Sequence, residues 1–546
     1  MEQAALRVFG IPELAHLICS TIQKADNVSL MRTCRQLFHD ILPFVWEDVD
    51  QANSLVSLIP GGGIIIYDSD FSPYVVMQLP SRLELARFNI YAPHVKRLTP
   101  TALHIDEYDG WESFLACVRS IDLLPNLDTL CLPVRDHTQY TSYGGDETVE
   151  TNCVNWVTAF LSSSLRTLEL GYRKQGSHWD NRRVPWMDFG LFDSFMVSVS
   201  QKCLGLRSLS VLPASVMHDN PRSRRVLNGI PRVSFSRDVS LVYWNFLQLE
   251  NLTSLRVSLV ILNLEGVLAL SALPRLETLS VLGYEFDNRI CCNGLELPTE
   301  GFPALRHLEL VLQSWSTIGN LCSAKPIVSG LHSMTIVSPL YLSEGQYHSL
   351  HDVIPLLAAS NSSATTLIVR NYRDSYNQLP PSALQYWRQL PLINLHLEGS
   401  VKANHTFNSI CSIVSCLPLL EVFKLSMTQG SLDLRKLGKI IEHLPRLRHI
   451  RAPLRWKLVT ELVEADFAPC RSKSNVTLYL ESNFYLPNPQ QENAERLARY
   501  LSALRPSAAV ICQSHQRNFY SRAAGGYVDE GPKDMINAEL SQLRHS

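Results

Sequence analysis

Leu273-Pro274-Arg275-Leu276-Glu277-Thr278-Leu279-Ser280-Val281 spells L-P-x-L-x-x-L-x-L with valine in the last place, and the chain repeats it. Leu124 to Leu132 (LPNLDTLCL) and Leu417 to Leu425 (LPLLEVFKL) are near copies, and Leu444 to Ala452 (LPRLRHIRA) is a weaker one. A recurring unit of this size decides the architecture of the whole chain. The closing L-x-L alternation puts two leucines on one face of a short strand. Segments such as Ile440, Ile441 and Leu444 ahead of Leu447 carry helical spacing. Each unit therefore reads strand, loop, helix, and buries its apolar face only against its neighbours.

Counted from the first apolar position, the units begin near residues 127, 165, 206, 252, 276, 305, 331, 364, 392, 420, 447 and 475. A partial copy, Pro93 to Leu98, precedes them, and Ala364 and Asn475 stand where leucine is expected. The later spacing falls in the leucine-rich-repeat range. The fold expected is α/β: a leucine-rich-repeat solenoid over residues 95–486, with a parallel sheet on the concave side and helices on the convex side. The asparagine or cysteine ladder of the usual repeat is not spelled here.

Composition agrees with a folded chain. The 546 residues are 46% hydrophobic and 18% charged with a formal net charge of -2, which excludes disorder and gives no global signal for nucleic acid or membrane. The most apolar window, Val257 to Leu273, is interrupted by Asn263, Glu265 and Gly266 and reads as a strand followed by a buried helix. The 13 cysteines show no C-x-x-C spacing, their closest pairs being Cys291-Cys292 and Cys411 with Cys416. With no basic cluster and apolar run at the start, this points to free thiols in a reducing, intracellular setting, cytoplasmic or nuclear. The N-x-S/T sequons at Asn27, Asn251, Asn361, Asn404 and Asn475 are then chance matches.

Residues 1–50 lack the repeat. Ile11, Leu14, Leu17, Ile18 and Ile22 fall at helical spacing behind Pro12, a first-turn proline. Asp26 and Asn27 offer an N-cap to a second helix carrying Leu30, Met31, Cys34, Leu37 and Phe38 on one face. Pro43 ends or kinks the third segment, and Phe44, Val45 and Trp46 close the block.

The succession I-P-E-L-x-x-L-I, D-N-V-S-L, C-R and L-P-F-V-W resembles an F-box, in the form met in F-box proteins of filamentous fungi. The resemblance covers about a tenth of the chain. It departs from the common pattern in that Pro12 directly precedes Glu13-Leu14, without the usual spacer. It implies a helical module that docks onto the adaptor subunit of a cullin-based ubiquitin ligase. Pro12, Leu14, Leu17 and Ile18 would lie at the adaptor surface, with Leu30, Cys34 and Trp46 as packing or contact positions. The same residues also read as the N-terminal helical cap of the repeat array.

Residues 51–94 connect the two regions. Leu55, Leu58 and Ile59 suggest a helix, Gly61 to Gly63 a turn and Ile64 to Tyr67 a strand, with the character of one more degenerate repeat. Beyond Pro487 the pattern stops. Residues 487–546 read as a capping helix, Ala494 to Leu504, and a mobile tail from about Arg522.

Three early intervals are long, and repeat insertions emerge as loops on one face. The inserted stretches are Gln139 to Glu150, Gly171 to Gly190 and Leu212 to Phe246. Residues 171–237 hold eleven Lys or Arg against four Asp, a local charge of +7. Arg182, Arg183, Arg222, Arg224, Arg225 and Arg232, with Trp179, Trp186, Tyr243 and Trp244 near them, suit an acidic or phosphorylated segment of a target protein. The bland reading is a solvated basic loop. A third, RNA or DNA contact, has neither a basic domain nor a recognised module behind it.

Catalytic spellings are missing. Gly171-x4-Gly176-Ser177 lacks the lysine of a phosphate loop. No H-E-x-x-H, G-x-S-x-G or paired Cys/His spacing occurs, and the 17 histidines are dispersed. The sequence therefore points to a non-catalytic receptor or adaptor with no cofactor and no metal. The function expected is the substrate-recognition subunit of an SCF-type ligase; the competing class is a repeat scaffold not coupled to ubiquitination.

Overall fold

A computed structural model of the chain describes residues 7–68, 73–100, 105–133, 151–171, 187, 189–213, 240–283, 297–312, 314–337, 350–373, 381–400, 406–427, 431–468, 474, 476–482, 486–512 and 531–545. They fall into two compact units. The first takes residues 1–287 with 302–304, the second residues 288–301 with 305–546.

The first unit opens with three helices, α1 (Pro12–Thr21), α2 (Lys24–Met31) and α3 (Arg35–Trp46). Its strands are β1 (Asp48–Val49), β2 (Gly63–Tyr67), β3 (Tyr74–Gln78), β4 (Arg97–Leu98), β5 (Glu107–Asp109), β6 (Thr129–Pro133), β7 (Thr167–Gly171), β8 (Ser208–Val211), β9 (Ser254–Ser258) and β10 (Thr278–Leu282). β1-β4-β6-β7-β8-β9-β10 form a parallel sheet, each strand beside its successor. The second unit holds β11 (His307–Val311), β12 (Ser333–Val337), β13 (Thr366–Arg373), β14 (Asn394–Ser400), β15 (Val422–Met427), β16 (His449–Arg451), β17 (Tyr479–Ser482) and β18 (Ala509–Cys512), again parallel and in chain order. Helices such as Leu264–Ser271 and Leu434–His443 connect the strands. Both units are stretches of an α/β leucine-rich-repeat solenoid.

The repeat spelling explains each rung. Leu276, Leu279 and Val281 are at most 2% exposed. The L-P-x-L opening is a β-turn: Leu127 N–H donates to Leu124 O at 3.2 Å, Leu420 to Leu417 at 3.1 Å and Leu447 to Leu444 at 3.2 Å. Proline fits the second turn position because its fixed φ suits the bend and no N–H is needed there.

Successive rungs are tied by backbone. Asp128 O accepts from both Arg166 N (3.0 Å) and Thr167 N (2.9 Å), and Arg166 O from both Arg207 N and Ser208 N. The second unit repeats this at His332, Thr365, Ile393 and Glu421. One carbonyl uses both lone pairs to hold the next rung, so these rungs are coupled without the side-chain ladder that the sequence lacks.

Several expectations need correction. The apolar face read as one helix from Leu30 to Phe38 is broken, because α2 ends at Met31 and α3 starts at Arg35. Asn27 is no N-cap; it is buried, and its Nδ2 donates to Cys19 O at 2.9 Å, tying α2 to α1. Pro43 does not end a helix; it lies inside α3, where Glu47 N–H reaches Pro43 O at 2.9 Å.

Between residues 51 and 94 the strand Gly63–Tyr67 is not a rung. It joins a separate sheet, β2-β3-β5, with β2 antiparallel to β3. Tyr108 of β5 anchors this small sheet, stacking on Trp111 and meeting Trp156 edge-on.

The last unit is displaced from its expected start. β17 pairs Leu480 with Ile450, two residues beyond the frame counted from Asn475, which itself lies outside the described residues. Leu478 and Leu480 alternate, so both frames spell alike. Nor does the pattern stop at Pro487. The helix Gln490–Leu504 leads to one more rung, β18, and the tail contains a helix, Gly531–His545, with Ile536 and Leu540 buried. Arg522 is outside the described residues.

Candidate functional site

The N-terminal module buries a narrow stripe of α1 and leaves the rest of the helix presented. Ala15 and Cys19, four residues apart, turn inward at 4% and 3% exposure, and being small they let α1 approach α3. Cys19 packs with Leu37, Ile41 and Val45; Phe9, Val28, Leu30, Met31, Phe44 and Trp46 close around that cluster. Flanking that stripe, Ile11 at the N-cap and Leu14 and Leu17 of α1 are 46%, 39% and 61% exposed. Spaced by three, they line up along one face, beside the exposed Pro12 and the half-buried Ile18.

The back of the module is fixed to the first rungs. α3 runs directly into β1, and Glu47 O accepts from Lys96 N at 3.0 Å and Arg97 N at 2.9 Å. Lys96 Nζ reaches Glu47 Oε1 at 2.9 Å, and the Trp46 ring lies 4.7 Å from that of Tyr91. Module and array are thus one continuous structure within the first unit.

The seven residues expected at the adaptor separate into two groups. Pro12, Leu14 and Leu17 stand exposed on α1 with Ile18 at their margin, and Cys34 is exposed at the start of α3. Leu30 and Trp46 instead belong to the inner cluster. Ile11 joins the outward row, and its place in the same helical spacing was the signal for it.

The expected target-binding rim, Arg182, Arg183, Arg222, Arg224, Arg225 and Arg232, lies outside the described residues. Of its aromatic neighbours, Tyr243 is buried and receives a hydrogen bond from Asn263 Nδ2, whereas Trp244 is 62% exposed. Burial pushes the Tyr243 hydroxyl up to about 12, so it serves the core.

An open groove of about 790 Å³ runs beneath the module, lined by Lys24, Glu47, Lys96, Arg97, Asp128 and Arg166 among others. Its cations are engaged: Lys96 by Glu47, and Arg166 by Asp128 at 3.7 Å. Lys24 Nζ donates to Asp48 O.

In the second unit the solvent-facing strand positions form rows across the sheet. Register places His396 beside Lys424, Lys424 beside Arg451, and Arg451 beside Glu481. Among the described residues no group of three or more His, Cys, Asp or Glu has the placement to hold a metal ion. No helix among them is long and apolar enough to cross a membrane.

No family model matches the chain, and no curated protein sequence matches it. Among solved structures, the crystal structure of a TLR13–ssRNA13 complex is 14% identical, covers 84% of this chain and 69% of that chain, and gives a TM-score of 0.31.

Proposed function

We propose that this leucine-rich-repeat chain is the substrate-recognition subunit of an SCF-type ubiquitin ligase. In this reading α1 docks on the adaptor subunit of a cullin-based ligase, and the repeats hold the target protein. The observation that carries it is the outward row Ile11, Leu14 and Leu17. Leaving these side chains in water forgoes about 25 cal/mol per Å² of apolar surface, which a docked partner recovers. The F-box resemblance of residues 8–46 rests on the same helices, and names the partner that such a face would meet. The chain would supply no reacting group; its contribution is holding the target near the ligase's own chemistry.

A repeat scaffold without a ligase is the second reading. It draws on the direct passage of α3 into β1 and on the inward packing of Leu30 and Trp46, which a simple N-terminal cap would also show. Tagged full-length chain probed for the ligase adaptor, beside a Pro12→Ala/Leu14→Asp form, separates the two. Adaptor recovered with the native chain alone is the expected result. Adaptor recovered with neither form leaves the scaffold.

A further inference from the structure

The outer sheet face of the second unit sets basic side chains beside one another, where a sheet normally alternates them with acids. His396 of β14, Lys424 of β15 and Arg451 of β16 stand side by side on consecutive rungs. Neighbouring strands lie about 4.8 Å apart, and like charges directly opposite each other destabilise a sheet. The surrounding carboxylates relieve Arg370 and Arg451 but not Lys424, the cation at the centre of the row. Glu398 faces Arg370 at 4.0 Å, and Glu481 takes both Arg451 at 3.6 Å and His449 at 2.8 Å. Lys424, in the middle, has basic groups on both sides. On the preceding rungs the same row carries Ile368, Thr335 and Glu309, so the charge is local and not a property of the repeat.

We propose that this face, centred on Lys424 and Arg451 with Arg370 at its edge, receives an acidic segment of the target protein. The proposal deepens the reading of the array as the target-binding part and rests on it, but not on adaptor docking. Charge complementarity selects the occupant: carboxylates set between Lys424 and Arg451 would remove the like-charge contact that the free sheet carries. The sequence-level expectation of an acidic partner concerned other residues, 171–237, so this face supports that partner chemistry independently.

The patch is coupled to protonation. Burial pushes the His396 imidazole below its ordinary range; Glu398 draws it up, while Lys424, Arg370 and Arg451 press it further down. Carboxylates arriving on the face oppose those cations and raise it. Acidic peptide should therefore bind more tightly as the pH falls below the ordinary imidazole value of 6.5, and His396→Gln should flatten that dependence.

The test is fluorescence anisotropy of a labelled decaglutamate peptide titrated with the full chain at low and moderate salt. Lys424→Glu/Arg451→Glu should weaken binding at least tenfold. The control Arg275→Glu, which reverses an exposed cation of the other unit, should change it less than twofold. Thermal unfolding of the double variant checks that it folds; if it does not, Lys424→Gln alone serves, with an expected loss of about threefold. Three results would overturn the proposal: no peptide binding by the native chain, equal binding by the folded variant, or binding of a single-stranded oligonucleotide in place of the peptide. Failure here with adaptor recovery intact would leave the docking module standing.

Discussion

Gly266 shows how little room a rung leaves. A Cβ there would sit 1.8 Å from Ile261 O, while Gly266 N donates to the Asn263 side chain that caps the helix Leu264–Ser271. Gly266→Ala must displace backbone, and a loss of about 2–4 kcal/mol is expected in denaturant unfolding. Arg505 is a second such point. Fully buried, it donates from Nη2 to Leu444 O at 2.8 Å and Ile441 O at 3.3 Å, closing the C-terminus of the helix Leu434–His443. Arg505→Met keeps the volume but takes the second donor from each carbonyl, leaving Leu447 N and Leu444 N as their backbone partners, at a cost of about 0.5–1.5 kcal/mol. His351 gives a pH signature. Burial pushes its imidazole down from 6.5 to about 4, so the folded state holds it neutral where the unfolded chain is protonated. Its contribution is complete above pH 6.5 and is lost as pH falls from 6.5 to about 4. Over that interval His351→Gln should lose stability less steeply than the native chain, by thermal unfolding at stepped pH.

At the scale of elements, the edges of the sheets are handled differently. β18 ends the parallel sheet of the second unit, and Asn537 of the helix Gly531–His545 completes it. Its Oδ1 accepts from Val510 N and its Nδ2 donates to Val510 O, both at 2.9 Å, as a further strand would. Asn537→Ala should cost about 1–2 kcal/mol and open a pairing edge, visible as concentration-dependent light scattering; a variant that stays monomeric with native stability would refute the capping role. Among the described residues β2 carries no such device, with Ile64, Ile65, Ile66 and Tyr67 38–62% exposed. These two edges also show where the sequence speaks and where it falls silent. The rungs were legible because L-x-x-L-x-L states both burial and period. The tail helix was missed because Ile536, Leu540 and Leu543 make a short stripe in a polar run after a glycine-rich stretch, and it packs on the helix Gln490–Leu504 and on β18, whose own spelling lacks the repeat. The isoleucines of β2 announced a strand, but sheet membership depends on Tyr108, Trp111 and Trp156, which lie well downstream in the chain.

For the whole molecule, the N-terminal module is an extension of the array that turns an apolar row of α1 outward. Spacing alone placed Ile11, Leu14, Leu17 and Ile18 on one face but did not say whether that face was buried or presented. The answer came from Ala15 and Cys19, the small residues that α1 buries instead, and a stripe-reading of large side chains passes over them. Leu30 and Trp46, expected as packing or contact positions, take the packing role. Calorimetric titration of the purified full-length chain with the purified adaptor of a cullin-based ligase, beside Leu14→Asp/Leu17→Asp, addresses the docking role without intermediaries. Both side chains are exposed, so the variant should unfold within about 2 °C of the native protein. Saturable binding by the native chain, weakened more than about 100-fold in the variant (about 3 kcal/mol), is the expected outcome. No binding by the native chain, or equal binding by both, would refute docking through α1.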